Sequence, residues 1–291
     1  MDHLKSILAA VDLSACSKAA LGQAARLAGR SGATLHVLHV VEPRVVEDLE
    51  DMMPKGSGAR EAIVADAKRA LEKFASGAKA QCEVLVGAPL EAILAKARAV
   101  SANLLVIGAY GTTGAGRGAG SLALHIARKS PLNVLLVDGT HAAPFDSALV
   151  GIDFSDHSLR AFDEALRVAR LENCPLHAVH VFAPPPLHYR APTPQASPDY
   201  QRQFRAALER RLDAIVAERG KAGGKIEITA ALVEHTSYAQ GLLDYARQKG
   251  IDLVVLGTLG KTNLRYALLG STAERVVRDS PCSVLAIPPL A

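Results

Sequence analysis

The chain contains no tryptophan, and aromatic residues make up only 4% of its 291 positions. Hydrophobic residues still reach 49%, so Leu, Val, Ile and Ala must fill the core. That suits helices packed on a parallel sheet whose strands are buried on both faces. No apolar run approaches the roughly 20 residues of a membrane span, and no membrane partner is expected. Cysteine is scarce: Cys16, Cys82, Cys174 and Cys282 form no C-x-x-C pair. This argues against a disulfide framework and against a structural zinc site, and the four read as reduced, structural thiols. There is no run of five basic residues, and the net charge of +4 arises from 33 basic and 29 acidic side chains scattered along the chain. Nucleic-acid binding is therefore not indicated. A secretory leader pattern is also missing, since acidic residues stand at positions 2 and 12, and a cytoplasmic protein is expected.

The chain does have an internal repeat. Residues 7–43 (ILAAVDLSACSKAALGQAARLAGRSGATLHVLHVVEP) align without a gap on residues 148–184 (ALVGIDFSDHSLRAFDEALRVARLENCPLHAVHVFAP), with 13 of 37 positions identical. The shared residues include Asp12 and Asp153, Ser14 and Ser155, Ser17 and Ser158, His39 and His180, and Pro43 and Pro184. Later stretches also pair: LLVIGAYG (104–111) with LVVLGTLG (253–260), and SPLNVLLV (130–137) with SPCSVLAI (280–287). A domain-sized period points to duplication and not to a solenoid. The turn-rich DGTHAAP stretch (138–144) places a boundary that divides the chain into domains 1–143 and 144–291.

Each half reads as strands alternating with helices. In the first, ILAAVD is a strand, Ser14 to Arg30 a helix with Ser14 as N-cap, and LHVLHV the second strand. After a long connection come an amphipathic helix over 60–76, the strand CEVLVG, a helix over Pro89–Val100, the strand LLVIGA, a Gly-rich loop, a helix over Leu122–Lys129 and the strand NVLLVD. This alternation predicts an α/β fold: two tandem doubly wound, parallel five-stranded sheets of Rossmann-like type. In the second half the connection APPPLHYRAPTPQASPDY (183–200) carries six prolines and reads as extended. It is either a lid over a site or a tolerated surface insertion.

Ligands bind doubly wound sheets beyond the C-terminal strand ends, near the switch in strand order. Asp12 and Asp153 end the first strands, and the glycine loops end the fourth, so the two features converge. The second loop is GTLGKTNLRYALLGSTAERV. Gly257, Gly260 and Gly270 let backbone approach a phosphate. The helix start after Gly270 offers free N–H groups. Ser271 and Thr272 add hydroxyls, and Lys261 and Arg265 add positive charge. Together they predict an anion cradle. An aspartate before a serine at a strand end also reads as a simple helix cap.

The spacing G-x2-G-x9-G-S, with D-F-S after the first strand of its half, resembles the universal stress protein family, and the stretch GKTNLRYALLGS is similar to that of its ATP-binding members. The resemblance spans both halves and belongs to the adenine-nucleotide α-hydrolase-like group. It implies that Asp153 contacts the adenosine and that the Val181 backbone reads the adenine. Gly257, Gly260, Gly270, Ser271 and Thr272 would hold ribose and phosphates of ATP, with a Mg2+ ion left open. The first half keeps Asp12, Val40, Gly108 and Gly111, but its loop GAYGTTGAGRGAGSLAL reaches Gly120 and Ser121 one residue early, is glycine-loaded and has Arg117 in place of the Lys261–Arg265 pair. One full ATP site and one altered site are expected.

Other signals are set aside. Gly260–Lys261–Thr262 lacks the leading glycine of a Walker loop, since Val255 stands there. Gly114, Gly116 and Ala119 fit a dinucleotide fingerprint but follow the fourth strand, not the first. His36 and His39, like His177 and His180, are spaced so that a strand turns them to opposite faces, and they read as core or helix-facing residues, with no metal expected. The Gly257–Ser271 loop has no carboxylate or histidine to act as a base. Three readings follow: an ATP-binding stress sensor or regulator, with catalytic residues absent; a slow ATPase or adenylating enzyme; or a ligand-free interaction scaffold. By the resemblance, NVLLVD and SVLAIP would pair as an intramolecular pseudo-dimer, with further homodimerisation open.

Overall fold

The computed structural model describes residues 4–52, 58–111, 119–139, 143–183, 198–260 and 269–289, without the side chains of 222 and 223. The chain forms two compact units, Met1–Ala143 and Pro144–Ala291.

In the first unit the elements run β1 (Ser6–Val11), α1 (Ala15–Ser31), β2 (Thr34–Val41), α2 (Pro43–Met52), α3 (Ala59–Phe74), β3 (Gln81–Val86), α4 (Pro89–Ala99), β4 (Leu104–Gly108), α5 (Ser121–Lys129) and β5 (Asn133–Val137). The strand order is β3-β2-β1-β4-β5, with parallel pairing throughout. All six residues of β1 are buried, as a strand covered by helices on both faces requires. β1 has β2 on one side and β4 on the other, and this reversal opens the crevice where ligands of such sheets sit.

The second unit repeats the plan with β6 (Ala148–Gly151), α6 (Asp156–Glu172), β7 (Leu176–Phe182), α7 (Pro198–Arg219), β8 (Ile228–Glu234), α8 (Tyr238–Lys249), β9 (Leu253–Gly257), α9 (Ser271–Asp279) and β10 (Ser283–Ile287). Its order is β10-β9-β6-β7-β8, again all parallel. The buried side chains are mainly Ala, Val, Leu and Ile, with Phe145 and Phe162 the largest. No helix among the described residues is long and apolar enough to cross a membrane.

Local chemistry explains the shared serines. The Ser14 hydroxyl accepts the Ser17 N–H at 3.1 Å and caps α1. Ser155 does the same for Ser158 at 3.2 Å and caps α6. Ser17 and Ser158 are themselves buried, and their hydroxyls donate to the Ser14 and Ser155 carbonyls. Gly32 and Asn173 end the two helices in the left-handed region, at φ +73° and +59°, where glycine and asparagine are the favoured residues.

Two elements differ from the sequence expectation. The first connection contains a helix, α2, with Pro43 at its first position, where the missing N–H costs nothing. In the second connection Pro198, Asp199 and Tyr200 already belong to α7. The extended reading of 184–197 lies outside the described residues.

Candidate functional site

The turn after β6 sets the geometry. Asp153 Oδ1 accepts the Ser155 N–H at 2.9 Å and also the Ser155 hydroxyl. Between them Phe154 adopts φ +65°, a conformation that costs a bulky residue on the order of 1–3 kcal/mol. The aspartate hydrogen bonds close this turn. The same turn follows β1: Asp12 Oδ1 accepts the Ser14 N–H at 3.0 Å, and Leu13 sits at φ +64°. Two unrelated side chains, Phe and Leu, take one strained conformation, so the backbone of the turn is what both halves share.

A histidine supports each turn from the neighbouring strand, buried in the second half and half-buried in the first. His180 Nδ1–H donates to the Ile152 carbonyl at 2.6 Å, and His39 Nδ1–H donates to the Val11 carbonyl at 2.8 Å. His177 instead bonds the Tyr245 hydroxyl at 2.9 Å. Burial, and secondarily Lys249, pushes the His177 imidazole below its ordinary pKa. The histidines are thus committed to the fold. No group of three metal-ligating side chains occurs among the described residues.

The glycines come directly against this turn. A Cβ on Gly260 would stand 2.9 Å from Asp153 Oδ2, and one on Gly111 would stand 3.4 Å from Asp12 Oδ2. Carboxylate and glycine loop therefore meet in space across about 100 residues of chain in each half. A Cβ on Gly257 would lie 3.1 Å from the His157 carbonyl oxygen, and one on Gly108 would lie 3.0 Å from Cys16 Sγ. With any larger residue at the ends of β9 and β4, the helix starts would have to give by a few tenths of an ångström.

Each loop is drawn together at its base. The Gly270 N–H donates to the Thr258 carbonyl at 2.7 Å, and the Gly120 N–H donates to the Ala109 carbonyl at 2.7 Å. The one-residue difference between the loops thus falls between identical anchors and does not displace them. Gly270 and Gly120 are the N-caps of α9 and α5, in extended conformation and with no side-chain cap. The first intrahelical bonds start from Glu274 and Leu124. The amides of 271–273 and 121–123 therefore have no partner inside their helices. Ser271 and Ser121 are exposed and Thr272 half-buried beside them. Lys261, Arg265, Gly114, Gly116 and Arg117 lie outside the described residues.

Val181 and Val40 occupy the next-to-last positions of β7 and β2, beside the aspartate turns. Val181 is buried under α8, where a Cβ on Gly241 would come within 2.7 Å of its Cγ1. Cys16, near the first loop, is a packed thiol. Its Sγ donates to the Val137 carbonyl at 3.4 Å. Burial pushes its pKa up despite the opposing amides of Tyr110 and Ala109. The Thr258 hydroxyl is buried and has no hydrogen-bond partner among the described residues; its counterpart in the first half is Ala109.

Sequence reasoning missed the strained residue of the turn, the histidine brace and Thr258. The shared His39 and His180 were a signal for the second of these, since two imidazoles kept at one repeat position on a strand imply one polar partner. The first and third left no trace in residue type.

The comparisons with known proteins agree on one family. The sequence model of the universal stress protein family matches residues 3–138 and again 144–288. A universal stress protein of Mycolicibacterium smegmatis is 28% identical over 304 residues, with 97% of each chain covered. A shorter one from Thermus aquaticus is 30% identical over 145 residues, covering 49% of this chain and 98% of its own. Among solved structures, a universal stress protein from Archaeoglobus fulgidus superposes with a TM-score of 0.64 over 97% of this chain and 98% of its own, at 22% identity, a likeness of fold.

Proposed function

The chain belongs to the universal stress protein family, and from that premise we propose that its second half binds ATP and that the protein acts as a nucleotide-dependent sensor or regulator. The observation that carries this reading is the contact of Gly260 with the Asp153 carboxylate beside the uncapped start of α9. Asp153 would accept hydrogen bonds from the ribose, and the Val181 backbone would read the adenine edge. Gly257 and Gly260 let the loop backbone come up against the α6 start and Asp153 with no side chain between, and Gly270 does the same at the Thr258 carbonyl. The amides of 271–273 would donate to phosphate oxygens, favoured by the positive end of the α9 dipole. Ser271 and Thr272 add hydroxyl donors, and Lys261 and Arg265 are the cations of the loop. The Thr258 hydroxyl at the loop base, without a partner among the described residues, fits a site completed by a ligand.

The anion-binding half of the site suits a phosphate chain, with or without Mg2+. The 257–271 segment contains no carboxylate or histidine to act as a general base. Retention of nucleotide therefore fits better than rapid hydrolysis. The first half carries the same anchors with a looser contact at Gly111, and we assign it a weaker second site built on Asp12, Val40, Gly108, Gly111, Gly120 and Ser121.

Gly270→Asp tests the assignment. Among the described residues a Cβ at this position meets the Thr258 carbonyl oxygen at 3.4 Å and the Gly260 nitrogen at 4.0 Å, ordinary contacts. Asp is also a favoured N-cap and should leave folding intact. Its negative charge at the phosphate position should weaken ATP binding by about tenfold or more in calorimetry. Equal affinity in both proteins would remove the loop from the site.

A further inference from the structure

The Phe154 ring has more than one neighbour. The His180 ring lies 4.3 Å from it, centroid to centroid, tilted by 43°. The Arg211 guanidinium carbon stands 4.2 Å from its centroid. Arg211 comes from α7, far along the chain, and α7 is fixed there by its own contacts. Leu212, the next residue, is buried, and Arg219 pairs with Asp163 of α6 at 2.6 Å. The turn that carries Asp153 is thus gripped from both sides. His180 holds the Ile152 carbonyl just before the aspartate, and Arg211 covers the strained residue just after it. In the first half Leu13 has the same φ but no aromatic face to receive a cation.

We propose that Arg211 is a positioning residue for the second nucleotide site: by stacking on Phe154 it holds the strained turn, and through it the Asp153 carboxylate, in the geometry that receives the ligand. This rests on the reading of Asp153 as a nucleotide contact. A cation on an aromatic face favours one placement of the ring, and the ring is attached to the residue whose backbone is strained. The Asp153–Ser155 bond imposes the left-handed conformation, and the cation adds to it by holding the ring, so without Arg211 the turn opens more often. Each opening breaks the bond between Asp153 and Ser155. The preorganisation is electrostatic and specific to this half, which gives the two halves sites of unequal affinity for a reason separate from loop length.

The test uses the full chain with Arg211→Ala, Arg211→Met and Arg211→Lys, and two readouts. One is amide hydrogen exchange at Ser155 in the ligand-free protein, which reports the bond to Asp153 directly. The other is ATP affinity by calorimetry. Ala and Met should each raise the Ser155 exchange rate and weaken ATP binding about two- to fivefold, and Lys should restore both. In a Phe154→Gly background, where glycine takes positive φ freely, Arg211→Ala should change neither readout further. Unchanged Ser155 exchange in Arg211→Ala would overturn the proposal. A fall in affinity with unchanged exchange would also overturn it, since Arg211 would then act on the ligand itself. If the wild-type chain bound no ATP, the nucleotide reading would fail, while the exchange data would still decide whether Arg211 braces the turn.

Discussion

The two loop glycines that face the aspartates make a matched pair for substitution. Neither Gly260 nor Gly111 has a positive φ, so alanine is conformationally allowed at both and only space differs. At Gly260 the added methyl would stand 2.9 Å from Asp153 Oδ2, closer than carbon and oxygen approach without a shift. Relief requires the carboxylate to move by about 0.5 Å, the distance back to an ordinary contact. Asp153 is a short side chain tied by its other oxygen to Ser155, so it cannot yield without loosening that turn. Overpacking of this kind costs about 1–3 kcal/mol. Replacing glycine by alanine returns about 0.4–1 kcal/mol through the unfolded chain. Gly260→Ala should therefore lose on the order of 1–2 kcal/mol of local stability and bind ATP about tenfold more weakly. At Gly111 the methyl stands 3.4 Å from Asp12 Oδ2, an ordinary contact and the nearest among the described residues, which leaves the gain of about 0.4–1 kcal/mol. Hydrogen exchange resolved to the peptides of β1 and β4, and of β6 and β9, would measure each half separately without assuming a single unfolding transition. Equal stability of the two variants, or a larger loss from Gly111→Ala, would refute the reasoning.

Two further outcomes follow from buried titratable groups. Burial, followed by the charges of Asp252 and Glu172, pushes the Cys174 thiol up to about 11; alkylation of the native chain near neutral pH should label Cys174 last of the four cysteines, and early labelling would contradict this packing. The imidazole of His177 is held below its ordinary pKa by burial and Lys249, so the folded chain binds fewer protons there than the unfolded one. Its contribution is present above the unfolded value of about 6.5 and is lost as pH falls through and below that value. The Tm should drop on acidification from pH 7.5 to 5, and drop less steeply in His177→Gln; identical slopes would sink the assignment.

The framework of this chain could be read from its residues because the duplication displays it twice. Alternating strands and helices gave the parallel sheet, and that topology alone brought Asp153 to the glycine loop across the chain. What escaped was of two kinds. α2 has only Val46 buried along its length, so packing hardly marks its short helical pattern, and it read as connection. The left-handed residue of the aspartate turn is Phe in one half and Leu in the other, and neither type favours that conformation. It is imposed by the Asp153–Ser155 and Asp12–Ser14 bonds, which are visible only once the turn is folded. Arg211 was beyond reach for a third reason. Its partner lies 57 positions away in the sequence, on an element whose rotation is fixed by tertiary contacts such as the Arg219–Asp163 pair.

The hydrogen bonds from Gly270 to Thr258 and from Gly120 to Ala109 have a consequence for how such chains diversify. Each closes its loop at the neck, so the register of the flanking helix is set before the intervening residues are counted. Adding one residue to a loop of this size costs only about 0.1 kcal/mol of closure entropy. Insertions, deletions and changes of charge inside the loop are therefore nearly free of cost to the fold. The neck separates heritable stability from heritable selectivity: after duplication, one copy could keep its ancestral specificity while the other explored new loop sequences on an unchanged scaffold.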